Sequence, residues 1–430
     1  MNIQQSQLLS LTHLYQIHKL NLSNFTTAMP SVHNIIHHGA YEGSLYESIA
    51  GVNSSDWDSC VADSALFLTR KYLKTCEESS LPGLQFRYLT MKLDGVPKAI
   101  AYFQLVNLSD AGLGGILNLE EYGGLAGSLS GRINNILFDP DSGRSSFLLV
   151  CGNLLISGNH GIAAVDENSF QAVVGAIVQV KKSIERSLPS NSRIVGYMVK
   201  DFYEAENLLA APILKKDYFC LNTDPEMIVD IHPEWTTFED YLEALSSKYR
   251  IRAKNALTKL GPVVIRELSD DEVRSNIDRL YELNDNVIRK APVKLVRPSA
   301  PYFLNLKEQY GPNFRVKGFF LENEMVAFTS AVWSPLHMEA HCIGLDYSLN
   351  LQYSLYLNIL YTYIKDAIDC KSSRLFFGRT ALEIKSTTGA RPYDLGCYFR
   401  FANRILNSLA RPLVSSTGPG QWIPRDPFKR

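Results

Sequence analysis

The sequence predicts an α/β protein of two tandem mixed-sheet domains joined by a basic helix, and three features of its 430 residues predict it. A strand-rich hairpin pattern occurs twice. Each copy follows a helical stretch and is followed by a strand, a helix and a strand. Between the copies lies one amphipathic segment crowded with cations.

The first hairpin is FRYLTMKLDGVPKAIAYFQLV from Phe86, and the second is FRVKGFFLENEMVAFTSAVW from Phe314. Each sets β-rich runs around a polar turn, Asp94-Gly95 in one and Glu322-Asn323 in the other. They superpose without a gap, so that Ala99 falls on Ala327. Ahead of them stand the helical stretches SALFLTRKYLKTCEE and APYFLNLKEQYG. Downstream, the first copy continues as SSFLLVCGNLLI, NSFQAVVGAIVQVKKSIERSL and RIVGYMVKDF. The second continues as MEAHCIGLDY, LQYSLYLNILYTYIKDAI and RLFFGRT. A hairpin, a further strand, a crossover helix and a final strand make a mixed sheet with helices on its faces. A repeat of about 230 residues indicates duplicated domains and not a solenoid.

The linking segment is TTFEDYLEALSSKYRIRAKNALTKLG. Thr236 and Glu239 have the spacing of a capping box, and Gly261 closes the helix. Phe238, Tyr241, Leu245, Tyr249, Ala253, Ala256 and Leu260 form its buried stripe. Lys248, Arg252 and Lys259 share one flank, while Arg250 and Lys254 share another. This is either a solvated basic face or the wall of a groove that receives phosphates. The chain thus divides into an N-terminal extension (1–44), a first domain (45–232), the linking helix (233–262), a second domain (263–410) and a tail (411–430). The Pro and Gly content of the tail suggests an extended segment packing over the second domain.

Composition narrows the function. A net charge of −1 with 20% charged residues argues against a DNA-binding chain. Seven scattered cysteines without a CxxC pair read as reduced thiols of the cytoplasm. His33 and His37 have helical ligand spacing but no partner motif, so no metal site is expected. No signal-peptide pattern and no apolar run approaching eighteen residues is present. Contact with the inner face of a membrane stays compatible with the sequence.

The chemistry concentrates in LFFGRTALEIKSTTGARP, Leu375 to Pro392. A strand ends at Phe377, Gly378 permits a sharp exit, and Arg379, Lys385 and Arg391 follow at the sheet's carboxyl edge, where α/β proteins bind ligands. Arg379 and Lys385 suit phosphate groups, and Arg391 suits a substrate. Two readings of Glu383 stand: it orients or deprotonates an amine, or it pairs with Lys385 or Arg379 and pins the turn. His341 and Glu339 alternate along one strand and face one side, which makes each a candidate base. The helix start from Gln352 to Leu355 is a natural anion cradle, because free N–H groups and the dipole point outward there.

Tandem mixed-sheet units, the basic helix between them, and a strand ending in a turn with spaced Gly378, Glu383, Lys385, Gly389 and Pro392 resemble the FemAB-like branch of the GNAT acyltransferase superfamily. Peptidoglycan biosynthesis or recognition-type acyltransferases and the acetyltransferase domains beside sphingolipid-type synthases are the relevant members. The resemblance spans residues 45 to 405 and implies an acyl-CoA N-acyltransferase fold in each domain. It further implies that Val199 to Phe202 closes the first domain, and that Lys248, Arg250 and Arg252 form the family's basic stretch. By the same resemblance, Tyr353 and Ser354 lie at the coenzyme A pyrophosphate, and Glu383, Lys385 and Gly389 form the family's turn. The common phosphate signature is absent and LNLQYS stands in its place, so acyl-CoA as co-substrate is implied and not read.

The expected sites are therefore Glu383, His341 and Glu339 for catalysis; Gln352, Tyr353, Ser354, Arg379 and Lys385 for the donor; and Lys248, Arg252 and Arg391 for the substrate. The expected function is N-acyl transfer from acyl-CoA to an amine, the acceptor being a lipid, such as a sphingoid base, or a cell-envelope precursor. No bound cofactor is expected. The alternatives are an aminoacyl-tRNA-dependent transferase, disfavoured by the lack of a long heptad insertion, and a non-catalytic anion-binding module. Only the second domain is expected to be active, because VKDFYEAENLLAAPILKKD carries no comparable cluster.

Overall fold

The computed structural model describes residues 34–62, 65–108, 144–158, 160–290, 296–334, 336–415 and 422–429. The first half runs β1 (Asn34–His38), β2 (Tyr41–Tyr46), α1 (Ser54–Asp58), α2 (Arg70–Glu78), β3 (Leu84–Leu93), β4 (Val96–Asn107), β5 (Ser145–Cys151), β6 (Ile162–Ala164), α3 (Glu167–Ser187), β7 (Ser192–Phe202), α4 (Glu204–Leu214), β8 (Phe219–Leu221) and β9 (Glu226–Asp230). Then come α5 (Phe238–Ala244), α6 (Ser247–Leu260), β10 (Val264–Glu267), α7 (Asp270–Ser275), α8 (Ile277–Lys290) and α9 (Ala300–Tyr310). The chain continues through β11 (Phe314–Leu321), β12 (Glu324–Trp333), β13 (His337–Leu345), α10 (Tyr347–Tyr353), α11 (Leu355–Asp369) and β14 (Arg374–Phe376). It ends in α12 (Leu382–Ser386), β15 (Arg391–Tyr393), β16 (Gly396–Phe401) and α13 (Arg404–Ser415). Two mixed sheets result, as expected.

The duplication is visible in the backbone. Asp94 and Gly95 have φ of 51° and 80°, and Glu322 and Asn323 have 50° and 70°, so both hairpins close through turns with two positive φ values. Both hairpins also slip register at the same place, between Met91 and Lys92 and between Phe319 and Phe320. Ala99 lies opposite Met91 and Ala327 opposite Phe319. A bulge shared at matched positions is part of the repeated design.

The halves are entwined. The first sheet has the order β1-β2-β3-β4-β5-β7-β16-β8, and the second β10-β11-β12-β13-β14-β9-β15. Each half therefore gives its last strand to the other: β9 lies between β14 and β15, and β16 between β7 and β8. The boundaries drawn from sequence are corrected accordingly. Glu226–Asp230 belongs to the second sheet and Gly396–Phe401 to the first. Residues 34–44, set aside as an extension, lie in or between β1 and β2 of the first sheet. His37 is on β1 and not on a helix, while His33 and residues 1–32 lie outside the described residues.

The linking helix is two helices. The capping box sits one residue later than expected, at Thr237 and Asp240. The break follows from the tail: Ser246 N–H donates to the Pro427 carbonyl at 2.8 Å, and Lys429 N–H to the Ala244 carbonyl at 3.0 Å. Phe428 packs tilted against Trp235 and edge-on to Tyr241, at 5.5 and 6.3 Å between ring centres. Gly389, at φ 96°, leaves the room; a Cβ there would fall 2.4 Å from the Phe428 ring. Among the described residues no helix is long and apolar enough to cross a membrane.

Candidate active site

The parallel strands of the second sheet stay paired briefly. β13 and β14 align from His337–Arg374 to Glu339–Phe376. Beyond that, Phe377 and Gly378 exchange hydrogen bonds with Met227 on the β9 side, whereas β13 continues alone with β12 to Leu345. The sheet splits at Glu339. On one face of the split lies a cavity of about 1900 Å³ between the two halves, lined by Glu339, Tyr203, Glu206, His160 and Gly158 among others.

Buried charges stand behind the cavity wall. Asp201 of β7 accepts from Lys200, from Arg379 of the other half, from the Gly158 N–H at 3.1 Å and from the Cys397 thiol at 3.3 Å. Lys200 also donates to the Asn153 carbonyl at 2.6 Å. Glu226, fully buried at the start of β9, accepts from the Tyr203 hydroxyl at 2.8 Å. A Cβ at Gly158, whose φ is 69°, would fall 2.2 Å from Glu226 Oε2, so that position tolerates nothing larger. Burial, reinforced by the Asp201 charge, pushes the Glu226 carboxyl up to about 7. Burial and then the Glu226 charge push Glu339 well above the usual carboxylate range. Two carboxyls that resist joint ionisation are thus set where the strands part.

A second groove, of about 470 Å³, lies between α6 and the start of α11, with Ile384 of α12 in its wall. Lys248, Arg252, Asn255 and Lys259 of α6 line it with Asn350 and Ser354, and among the described residues no carboxylate does. Ser354, at φ 51°, is the N-cap of α11, and the Tyr356 N–H is taken by Asn350 Oδ1 at 2.8 Å. Asn358 donates to the Ala256 carbonyl at 2.9 Å and so ties α11 to α6. Three cations facing a helix start favour anions.

The structure sorts the predicted residues. Lys248, Arg252 and Ser354 share the groove, and Glu339 faces the cavity. Gln352 and Tyr353 end a separate short helix, α10, where Gln352 donates to the Tyr353 hydroxyl at 3.0 Å; the long helix starts after the left-handed break at Ser354. Arg379 points away from the groove into the Asp201 cluster. Lys385 is buried and donates to the Phe377, Gly378 and Arg379 carbonyls at 2.8, 3.1 and 2.6 Å. Burial lowers this amine to about 7, but three carbonyl acceptors match the three N–H bonds of an ammonium, so it pins the turn in charged form. Glu383 is paired with Arg425 of the tail and lines a shallow depression with Lys248 and Arg252, outside the cavity. Arg391 is exposed at the start of β15.

His341 sits at a bulge of β13, bonded to the Tyr302 hydroxyl at 2.9 Å and to Ser330 Oγ at 3.1 Å. Tyr302 in turn meets Tyr72 at 3.1 Å. Thr69 caps α2 three residues before Tyr72, and Ser299 caps α9 three residues before Tyr302, so this polar seam joins equivalent helices of the two halves. Burial drives the imidazole down to about 3, which leaves it neutral. Tyr203, Glu206 and Glu226 were not anticipated. The charged pair Lys200-Asp201 at the end of an otherwise apolar strand was the available signal, and the first half, expected to be inactive by itself, supplies Tyr203 and Glu206 to the cavity wall.

No family model and no curated protein sequence matches the chain. Solved structures do. The chain is similar to the crystal structure of FemX at 11% identity, covering 84% of this chain and 98% of that one, with a TM-score of 0.49. It is similar to a tandem GNAT protein from the clavulanic acid biosynthesis pathway at 8% identity, 78% and 88% coverage and a TM-score of 0.42. It is also similar to the C-terminal domain of a putative lysylphosphatidylglycerol synthetase from Agrobacterium fabrum, at 10% identity, 62% and 82% coverage and a TM-score of 0.37. Likenesses this distant leave function to the chain's own residues.

Proposed function

We propose that the chain is an N-acyltransferase that moves an acyl group from acyl-CoA to an amine. The observation that carries this is a pair of sites on the second half, a carboxylate-lined cavity at Glu339 where β13 and β14 part, and a basic groove at the start of α11. In this account Lys248, Arg252 and Lys259, with the start of α11, hold the donor's phosphates. The amine approaches from the cavity. Its nitrogen attacks the thioester carbonyl, the C–N bond forms and the C–S bond breaks. The amine proton passes to Glu339, and the departing thiolate is protonated to the free thiol. A carboxyl raised toward neutrality is a stronger base than an ordinary one, and such proton transfer contributes about 10²–10⁴-fold to rate. Holding both reactants contributes more, about 7–11 kcal/mol in well-oriented systems. The structure of the second half supports this reading more than that of the first, whose parallel pair is closed.

The test is continuous thiol release from a series of acyl-CoA chain lengths with a pool of amines. Amine-dependent release that Glu339→Gln lowers about 10²-fold or more supports the proposal. No release from any thioester, together with no thermal stabilisation by coenzyme A, overturns it and turns attention to aminoacyl-tRNA donors.

A further inference from the structure

The cavity has a charge character of its own. Asp166, Glu167, Glu204, Glu206, Glu339 and Asp394 line it, and among the described residues none of the six is in a salt bridge. Among the described residues Arg374 is the one Lys or Arg that lines it, and it is held by Asp230 at 3.0 Å. His160 and His337 also face it, and burial holds both imidazoles below their ordinary value, so neither offsets the carboxylates at neutral pH. Among the described residues, one buried carboxylate oxygen of the wall, Oε2 of Glu206, lacks any hydrogen-bond partner. An unpartnered buried acceptor of this kind is rare and costly, and a ligand N–H satisfies it. The rest of the wall is largely apolar, with Phe67, Phe170 and Leu221 inside and Leu208, 71% exposed, among its lining residues.

We propose that the acceptor is an amphiphilic primary amine, drawn in as its ammonium by Glu206 and Glu339 and carried on an apolar body against apolar lining such as Phe67 and Phe170. The inference rests on the N-acyl-transfer reading and adds the substrate class. An acceptor bearing phosphate or nucleotide groups meets the wrong sign of charge here; the basic groove is the place for those. The ammonium gives one proton to the carboxylate wall to become nucleophilic and a second as the amide forms. One of the two goes to the thiolate, so each turnover releases one proton.

The experiment is calorimetric titration of the full chain, without donor, using n-hexylamine, n-octylamine, n-octanol, octyl phosphate and glycinamide below their aggregation concentrations. We expect octylamine to bind more tightly than hexylamine, and about tenfold or more tighter than octyl phosphate or glycinamide, the scale of one desolvated charge-assisted contact. The Glu206→Gln, Glu339→Gln double variant, checked for an unchanged melting profile, should lose about tenfold for octylamine and nothing for octanol. If that variant does not fold, Glu206→Gln alone serves, because its side chain is only half-buried. Octyl phosphate binding as tightly as octylamine, or octylamine binding unmoved by the substitutions, overturns the inference. Octylamine that binds but supports no thiol release from acyl-CoA sinks the acyl-transfer reading alone. Thiol release with polar or anionic amines but not with octylamine sinks this inference alone.

Discussion

The two halves repeat one plan and differ where ligands would bind. In the first, β5 pairs with β7 along its whole length, Ser145–Cys151, and leaves no split. In the second, β13 and β14 part after Glu339 and Phe376. The crossover helices differ too. α3 begins with Asp166 as its cap and Glu167 in its first turn, so its own carboxylates occupy the positive end. α11 begins at Ser354 with no acid in its first turn and faces Lys248, Arg252 and Lys259. Of the two scaffolds, among the described residues the second has the parted strands and the helix start free of acids. The first half serves the second: it supplies β16's neighbours, the far wall of the cavity and the partner for Arg379.

The largest test of that division is Glu339→Gln against Asp201→Asn. The first should cost about 10²–10⁴-fold in turnover with little change in melting temperature. The second leaves Lys200 and Arg379 buried without their carboxylate and should cost about 3–5 kcal/mol of stability by denaturant titration. If Asp201→Asn instead leaves stability unchanged, the strand ends of the halves are not held together by this cluster. Next in size, Arg252→Ala should raise KM for acyl-CoA about tenfold with kcat unchanged, the signature of lost ground-state binding. The same change at Arg186, at the far end of α3, should do nothing.

Two smaller effects concern the frame. Gly389→Ala should displace the Phe428 ring and loosen the tail, at about 1–3 kcal/mol, read by proteolysis near residue 428. His341, lowered to about 3 in the folded chain from 6.5, binds its proton more readily when unfolded. Stability should therefore be fully present above pH 6.5 and fall as pH drops toward 3, by about 1.4 kcal/mol per unit from this group. A His341→Gln variant should be less stable near neutrality and flatter over that window, as urea midpoints would show.

The duplicated hairpins were legible because turn chemistry and strand pattern are local, and Ala99 and Ala327 do occupy matched positions. The strand exchange was not, because an apolar run such as that around Met227 to Val229 says that a strand is buried but not in which sheet. That same exchange is what carries Glu226 to Tyr203, so no motif near Glu226 announced it. Strand alternation picked out Glu339, and helical spacing placed Lys248 and Arg252 on one flank. Arg379 and Lys385 were assigned to phosphates because cations beside glycines look alike whether they meet a ligand or backbone carbonyls. Burial decides between those fates, and burial belongs to the tertiary structure.

The central claim is that the donor binds at the second half only, and hydrogen exchange with and without coenzyme A tests it most directly. Amides over residues 350–358 of the α10–α11 junction and over α6 should gain protection, while residues 166–174 at the start of α3 should not change. Equal protection at the two helix starts, or none at either, would contradict the division of labour drawn here.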